Sequence, residues 1–301
     1  FQILKMKKLV LFIFFNCFAL MSIACDVCGY GNAINAMSLL PQFSQSYIGL
    51  RYSNQSFTTT HPDDNDQEAD RFLQFELIGR HVFSKRLQCS FSLPYAVNQQ
   101  IGSEDIHSKG FGDLSSFITY TALPSKQIGK TLFYHALQLI AGIKTPTGKY
   151  KSDFSVSTFN EHLYPGSGSW DFMPALNYVI SKKRFGFNID FNAKFNTDNK
   201  FLYKMGNQRS SNFKFFYTST KPLYNFIPFI ALGYLANQVD IDAAKEVSFT
   251  GGHEWNAQFG ADLKIKNLLF GFQYLKPFNQ NWNDGFSCHE GKFSVRLFYL
   301  F

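Results

Sequence analysis

Alternation between apolar and polar residues recurs along most of this chain, and it restricts the fold more than any other feature. From Phe185 to Asn196, every second residue is phenylalanine, isoleucine or alanine, with glycine, asparagine, aspartate and lysine between them. Trp255 to Ile265 repeats the design. A period of two is that of a β-strand with one apolar and one polar face. About twelve such runs lie between residues 45 and 301, and they predict an all-β, transmembrane, antiparallel up-and-down β-barrel.

The connections between the runs also alternate. Tight turns at Ser84-Lys85, Lys182-Lys183 and Lys266-Asn267 are separated by longer polar segments. Short turns at one end and longer loops at the other are typical of bacterial outer-membrane barrels, in which the short turns are periplasmic. We therefore expect a barrel in the bacterial outer membrane, surrounded by lipid. The longer segments are expected near residues 60–70, 100–110, 147–166, 198–207, 238–252 and 281–290.

The beginning of the chain predicts export. Met6-Lys7-Lys8 precedes an apolar run from Leu9 to Ala24, which indicates a secretory signal peptide over residues 1–24, with residues 1–5 upstream of the true start. The run is shorter than the ~20 residues that a membrane-spanning helix needs. Residues 25–44 are expected to form a periplasmic lead, and residues 45–301 the barrel.

The last ten residues, KFSVRLFYLF, alternate strictly and predict a final strand with an aromatic-rich outer face. Closure of a barrel removes the exposed edge that such a strand would otherwise present. We expect it to pair with a strand near Tyr47 to Phe57. Its aromatic end, Tyr299 and Phe301, resembles the C-terminal signal of outer-membrane barrels, so the barrel-assembly machinery is an expected partner.

Charged residues on the polar face are expected to point into a wet lumen, because burial of an unpaired charge costs several kcal/mol. Their mixed signs favour ion pairs across the lumen over a ring of one sign. An alternative is that they only hydrate and brace a narrow barrel. The candidates are Glu76, Arg80, Asp113, Asp171, Asp190, Lys194, Glu254, Asp262, Lys264, Lys292 and Arg296.

Three motifs occur in order along the predicted barrel: KGFGDLSSFITY at 109–120, AGIKTPTGKY at 141–150 and YPGSGSWDFMPALNYVI at 164–180. They resemble the MetA-pathway of phenol degradation family of outer-membrane transporters. The N-terminal CDVCGYG resembles a Bacteroidetes-type variant of that family. The resemblance implies a barrel that transports a solute. Asp113 and Asp171, within these motifs, fall just inside the loop ends of their strands, where capping of loop amides is favoured over a ring at a pore entrance.

Several function classes remain open at this point. The formal net charge of +7 is spread without a basic block, so nucleic acid is not an expected partner. Twelve strands give a bore between those of eight-stranded barrels and sixteen-stranded porins, which favours a transporter or channel for a small molecule, hydrophobic in one interpretation. A non-conducting structural barrel is the main alternative. An outer-membrane hydrolase using His162 or His253 is disfavoured, and no enzyme activity is expected.

Cysteine use leaves alternatives open. Cys25-x-x-Cys28, at the expected mature N-terminus, is compatible with a disulfide, with acylation of Cys25, or with half of a copper or zinc site. Tyr30 stands where relatives often carry a further cysteine, which weakens the metal interpretation, and no other cofactor is expected. His61 and the neighbouring aspartates are expected to form a solvated acidic loop.

Overall fold

The computed structural model describes residues 45–60, 67–102, 105–127, 132–150 and 160–301. The predicted signal peptide, the lead with Cys25 and Cys28, and the acidic stretch that begins at His61 lie outside the described residues. The strands are β1 (Tyr47–Thr60), β2 (Gln67–Val82), β3 (Leu87–Ile101), β4 (Ile106–Phe111), β5 (Ser115–Gln127), β6 (Tyr134–Lys144), β7 (Asp171–Lys182), β8 (Phe185–Asn196), β9 (Tyr203–Lys204), β10 (Gln208–Tyr217), β11 (Ser219–Thr220), β12 (Tyr224–Asn237), β13 (Ile241–Asp242), β14 (Lys245–Glu246), β15 (Gly252–Ile265), β16 (Leu268–Trp282) and β17 (Ser287–Leu300). Two short 3₁₀-helices, Glu161–Leu163 and Asn283–Gly285, lie in loops.

Twelve wall strands close into one antiparallel barrel, and this confirms the predicted fold class. β4 and β5 together form the fourth wall strand, and β10 and β11 form the eighth. Wall strands that are neighbours in sequence are neighbours in the sheet, as in an up-and-down barrel. β17 pairs with β1, with Leu300 opposite Tyr47 and Val295 opposite Tyr52. The predicted closure between the last strand and the Tyr47–Phe57 region is therefore correct.

Burial follows the alternation. On β17, Phe293, Leu297 and Tyr299 are exposed on the outer surface, whereas Arg296 and Phe298 between them are buried. The outer face carries many further exposed aromatic and aliphatic side chains from the other wall strands. The apolar half of each alternating run thus faces outward, as a barrel in lipid requires.

The two ends of the barrel differ in their connections. At the turn end, where β1 begins and β17 finishes, two-residue turns join β7 to β8 and β15 to β16. Their first residues, Lys183 and Lys266, have φ of 53° and 51°, as the first central position of a tight hairpin turn requires. At the opposite end, which we call the loop end, lie the long connections 145–170, 197–207 and 238–251.

Two of the expected long loops are wrong. β4 begins at Ile106 inside the expected loop 100–110, and only Asn283 to Phe286 separate β16 from β17 inside the expected loop 281–290. Strands pair through backbone groups, so polar extensions pair as well as apolar ones.

β9, β13 and β14 form a separate small sheet at the loop end. Within the described residues, no helix is long and apolar enough to cross a membrane.

Candidate functional site

The lumen is the candidate functional site, because the charged residues that the alternation assigns to the inner face of the strands lie there. Of these eleven residues, nine are buried, and Lys264 and Lys292 are partly buried. Three further inward cations were not singled out: Arg51, Lys144 and Lys214 are also buried. Arg51, for example, lies between the outward residues Leu50 and Tyr52, so the same alternation identifies it.

Ion pairs brace the wall of the lumen. Glu76 pairs with Arg51 on the neighbouring strand and accepts a hydrogen bond from Ser92. Arg296 donates to Asp262 two strands away, with Nη2 2.5 Å from Oδ1, and it crosses the side-chain-free Gly271 to do so. These pairs connect nearby strands along the wall.

A second cluster lies at the loop end of the lumen and contains both motif aspartates. Lys144 Nζ lies 2.6 Å from Asp171 Oδ2 and 3.0 Å from Asp113 Oδ2. Lys194 Nζ lies 3.2 Å from Asp171 Oδ2. Asp171 also accepts a hydrogen bond from Ser169 Oγ at 2.9 Å. Two carboxylates and two ammonium groups thus neutralise one another inside the barrel.

The three family-like motifs converge on Asp113. Its carboxylate accepts the backbone N–H of Gly148 at 2.9 Å and the N–H and Oγ–H of Ser167, each at 2.8 Å. The backbones pack so closely that a Cβ on Gly148 would lie 2.6 Å from the Gly112 carbonyl carbon, and a Cβ on Gly166 would lie 2.8 Å from that of Gly148. The motif residues therefore hold residues 145–150 and 164–170 against the barrel wall, and Asp113 has the geometry of a loop cap.

Residues 160–170, which we call the inserted loop, enter the lumen. Leu163 is buried beside Phe57, Phe72 and Trp282, and its carbonyl oxygen accepts a hydrogen bond from Asn98 Nδ2 at 2.8 Å. The Tyr150 hydroxyl, which precedes the inserted loop in the chain, donates a hydrogen bond to Glu161 of that loop. Burial and this hydrogen bond raise the pKa of the Tyr150 phenol. The inserted loop therefore narrows the barrel from the loop end.

Asp240 fastens the inserted loop to two other loops. Its Oδ2 lies 2.7 Å from His162 Nε2 and accepts a hydrogen bond from the Tyr203 hydroxyl, and its Oδ1 accepts the Gly206 N–H at 2.6 Å. Burial by itself would raise the pKa of the Asp240 carboxyl, but His162 and these hydrogen bonds hold it below its usual range. We call this contact, formed by Asp240, His162 and Tyr203, the loop latch.

The turn end of the lumen carries apolar side chains beside its polar ones, which the alternation alone does not predict. Two clusters of buried side chains fill its opposite sides. They are Tyr47, Ile78, Leu269, Phe298 and Leu300 on one side, and Val179, Phe216, Ile227 and Phe229 on the other. Beside the first cluster, Gln45 receives hydrogen bonds from Arg80 Nη2 at 2.8 Å and from Lys264 Nζ at 2.6 Å. The chain thus enters β1 across this mouth of the barrel.

Two of the cavities inside the barrel lie between the turn end and the inserted loop. The larger has a volume of about 70 Å³ and is lined by the charged side chains of Glu76, Asp113, Lys144, His162 and Lys292. The smaller, of about 20 Å³, lies nearer the turn end and is lined in part by Arg80 and Phe117. At 10–15 Å³ for each water, the larger has room for roughly five waters. The lumen is narrow in this conformation.

The remaining candidate groups do not assemble into a second site. His253 makes a ring contact with Tyr234, and His135 Nδ1 lies 2.6 Å from the Tyr178 hydroxyl at the turn end. In the part of the chain that the structure describes, Cys89 and Cys288 are free thiols. The described residues likewise contain no group of three metal-ligating side chains.

Comparison with known proteins gives the chain a family. The model of the family described as "Putative MetA-pathway of phenol degradation" matches residues 54–288. The COG4313 outer membrane channel from Pseudomonas putida F1 is similar in structure with a TM-score of 0.63 and 14% identity, over 85% of this chain and 96% of that one. The translocator domain of the autotransporter NalP from Neisseria meningitidis gives a TM-score of 0.50 and 9% identity, over 89% and 93%. These structural likenesses show the fold, and no curated protein matches the chain.

Proposed function

This chain belongs to the MetA-pathway of phenol degradation family, and from that premise we propose that it forms a narrow, gated channel for small solutes in a bacterial outer membrane. The single observation that carries the proposal is a closed barrel with charged and amide side chains inside and aromatic side chains outside. Barrels that conduct have a lipid-facing exterior and a polar interior of this kind. The name of the similar Pseudomonas channel agrees with this class.

Two layers close the path and would have to move. At the loop end the inserted loop is held by the loop latch and by Asp113. At the turn end the two apolar clusters lie on the inner face of the barrel wall. An apolar constriction can gate a pore by excluding water. We therefore place the gate in these two layers and the solute path between them.

The walls of the path support a small polar solute better than a hydrophobic one. Ser53, Gln74, Ser92 and Asn98 line the larger cavity together with its charged groups. A wholly apolar molecule there would displace water from hydroxyl and amide groups without replacing their hydrogen bonds, which is costly.

We propose that lipid is the partner of the outer surface and that the short turns lie on the periplasmic side. We also propose that the barrel-assembly machinery recognises Tyr299 and Phe301.

A structural barrel that does not conduct is the second candidate, and the packed lumen favours it. The test is conductance of the refolded full chain in planar lipid bilayers, for wild type and for Asp240→Ala, which opens the loop latch. Asp242→Ala, an exposed aspartate of the same loop, is the matched control. We expect rare, small openings in wild type and more frequent openings only in Asp240→Ala. Absence of current from all three correctly folded proteins would refute the channel and favour the structural barrel.

A further inference from the structure

Lys292 differs from the other charged side chains that line the larger cavity. It lies on β17, partly buried, opposite Gln55 of β1. Among the residues that the structure describes, its ammonium group has no hydrogen bond and no ion pair. A cation inside a narrow barrel without an anionic partner is unusual, because desolvation of a charge is stabilised mainly by pairing.

The other charges around the cavity have partners. Glu76 pairs with Arg51, Lys144 with Asp113 and Asp171, and His162 with Asp240. Glu254, which also acts on Lys292 electrostatically, lies 2.6 Å from His289 Nδ1 and accepts the Trp282 indole N–H at 3.2 Å. The carboxylates that could neutralise Lys292 are thus committed to other donors. Among the described residues that line this cavity, Lys292 is therefore the cation without a direct ion-pair partner.

We propose that this cavity binds a short-chain carboxylate, with Lys292 as the partner of the carboxylate group. Gln55 and Ser53 stand on the adjoining strand, where their amide and hydroxyl donors can complete the shell of the anion. Charge-assisted hydrogen bonds to an ammonium group are about twice as strong as neutral ones. This inference deepens the proposed channel and rests on it for its transport role: the site would select small organic anions along the path.

The apolar part of the wall and the size of the cavity narrow the ligand class. Phe72, Pro94 and Ala96 line the same space and offer a surface for a short hydrocarbon tail. A dry cavity of ~150 Å³ accepts benzene, whereas a cavity of about 70 Å³, with room for roughly five waters, accepts a ligand of about five heavy atoms. Acetate, with four heavy atoms, meets both limits, whereas sugars and aromatic acids exceed them.

The test measures binding without requiring transport. The full chain, refolded in detergent micelles, is titrated with ¹³C-acetate and binding is followed by NMR line broadening, for wild type, Lys292→Gln and Lys292→Arg. Lys276→Gln, which removes an exposed lysine of β16, is the matched control. We expect saturable binding in wild type, at least about tenfold weaker binding in Lys292→Gln, near-wild-type binding in Lys292→Arg, and no change in Lys276→Gln. Heat-modifiable gel mobility verifies that each variant is folded.

Competition separates a carboxylate site from a site for any anion. Propionate should displace acetate at lower concentration than chloride does, because only propionate presents a tail to Phe72 and Ala96. Equal displacement by chloride, no saturable acetate binding in folded wild type, or unchanged binding in Lys292→Gln would each overturn the inference. Binding that depends on Lys292 in a protein that passes no current would instead refute only the channel, and current without acetate binding would refute only the site.

Discussion

Replacement of Lys144 by methionine should destabilise the barrel by about 3 kcal/mol. The ammonium group lies between the carboxylates of Asp113 and Asp171, whose side chains are only 3% and 0% exposed. Removal of one partner of a buried pair costs ~3–5 kcal/mol, because a buried charge is left uncompensated. The lower end applies here, since Asp171 keeps Lys194 at 3.2 Å and Asp113 keeps three hydrogen-bond donors from Gly148 and Ser167.

A second substitution tests whether the cost arises from uncompensated charge. In Lys144→Met/Asp113→Asn the extra negative charge is gone, so we expect the double variant to be less destabilised than the sum of the two single variants by about 1–2 kcal/mol. Lys276→Met is the control, because its partner Glu290 lies 3.5 Å away with both side chains about half exposed. Such a surface pair contributes about 0–1 kcal/mol.

The assay is urea-induced unfolding in detergent micelles, followed by the fluorescence of the three tryptophans and by heat-modifiable gel mobility. The slope of the transition should be the same in all variants, so that midpoints report stability. If Lys144→Met unfolds at the same urea concentration as Lys276→Met, the four-charge cluster does not stabilise the barrel. Strict additivity in the double variant would show that methionine packing, and not charge, causes any loss.

Three further results are expected. Phe298→Ala, which empties the apolar cluster beside Tyr47, should cost ~3–5 kcal/mol in the same urea assay. Gly148→Val, where a side chain would overlap the Gly112 backbone, should make the inserted loop cleavable in limited proteolysis while the barrel stays folded. The pKa of Asp240 is lowered from 3.8, so the loop latch should be fully stabilised above pH 3.8 and should weaken as the pH falls through the lower pKa of the folded state. Cleavage of the loop end by pepsin should therefore increase in wild type as the pH is lowered. Asp240→Asn should lose this pH dependence.

The fold follows from the sequence because a barrel repeats one simple rule. Alternation assigns each residue to the lipid or the lumen, and strand pairing in sequence order does the rest, so that Phe185 and Asp190 could be placed correctly from their neighbours alone. Strand ends were harder to predict. Asn279 to Asn281 pair with β15 through their backbones, yet nothing in their polar side chains distinguishes a strand extension from a loop.

The pairing inside the lumen could not be predicted to the same depth. Parity places Arg296 and Asp262 on the inner face, but they meet because Gly271 leaves space between their strands. The apolar side chains at the turn end were also missed, since Phe298 and Phe216 occupy polar-face positions of runs whose outward residues are equally aromatic. An exterior rich in phenylalanine hides the few phenylalanines that point inward.

The motifs that mark the family are informative about closure rather than about the solute. Asp113 accepts backbone and hydroxyl hydrogens from the PTGKY and GSGSWDF segments, and Lys144 then neutralises it. Any chain that keeps these residues can hold a loop in its lumen, whatever molecule passes. Lys292, by contrast, lies outside all three motifs and faces the cavity. If selectivity varies between members of the family, positions such as Lys292 can change it while the loop anchor stays the same.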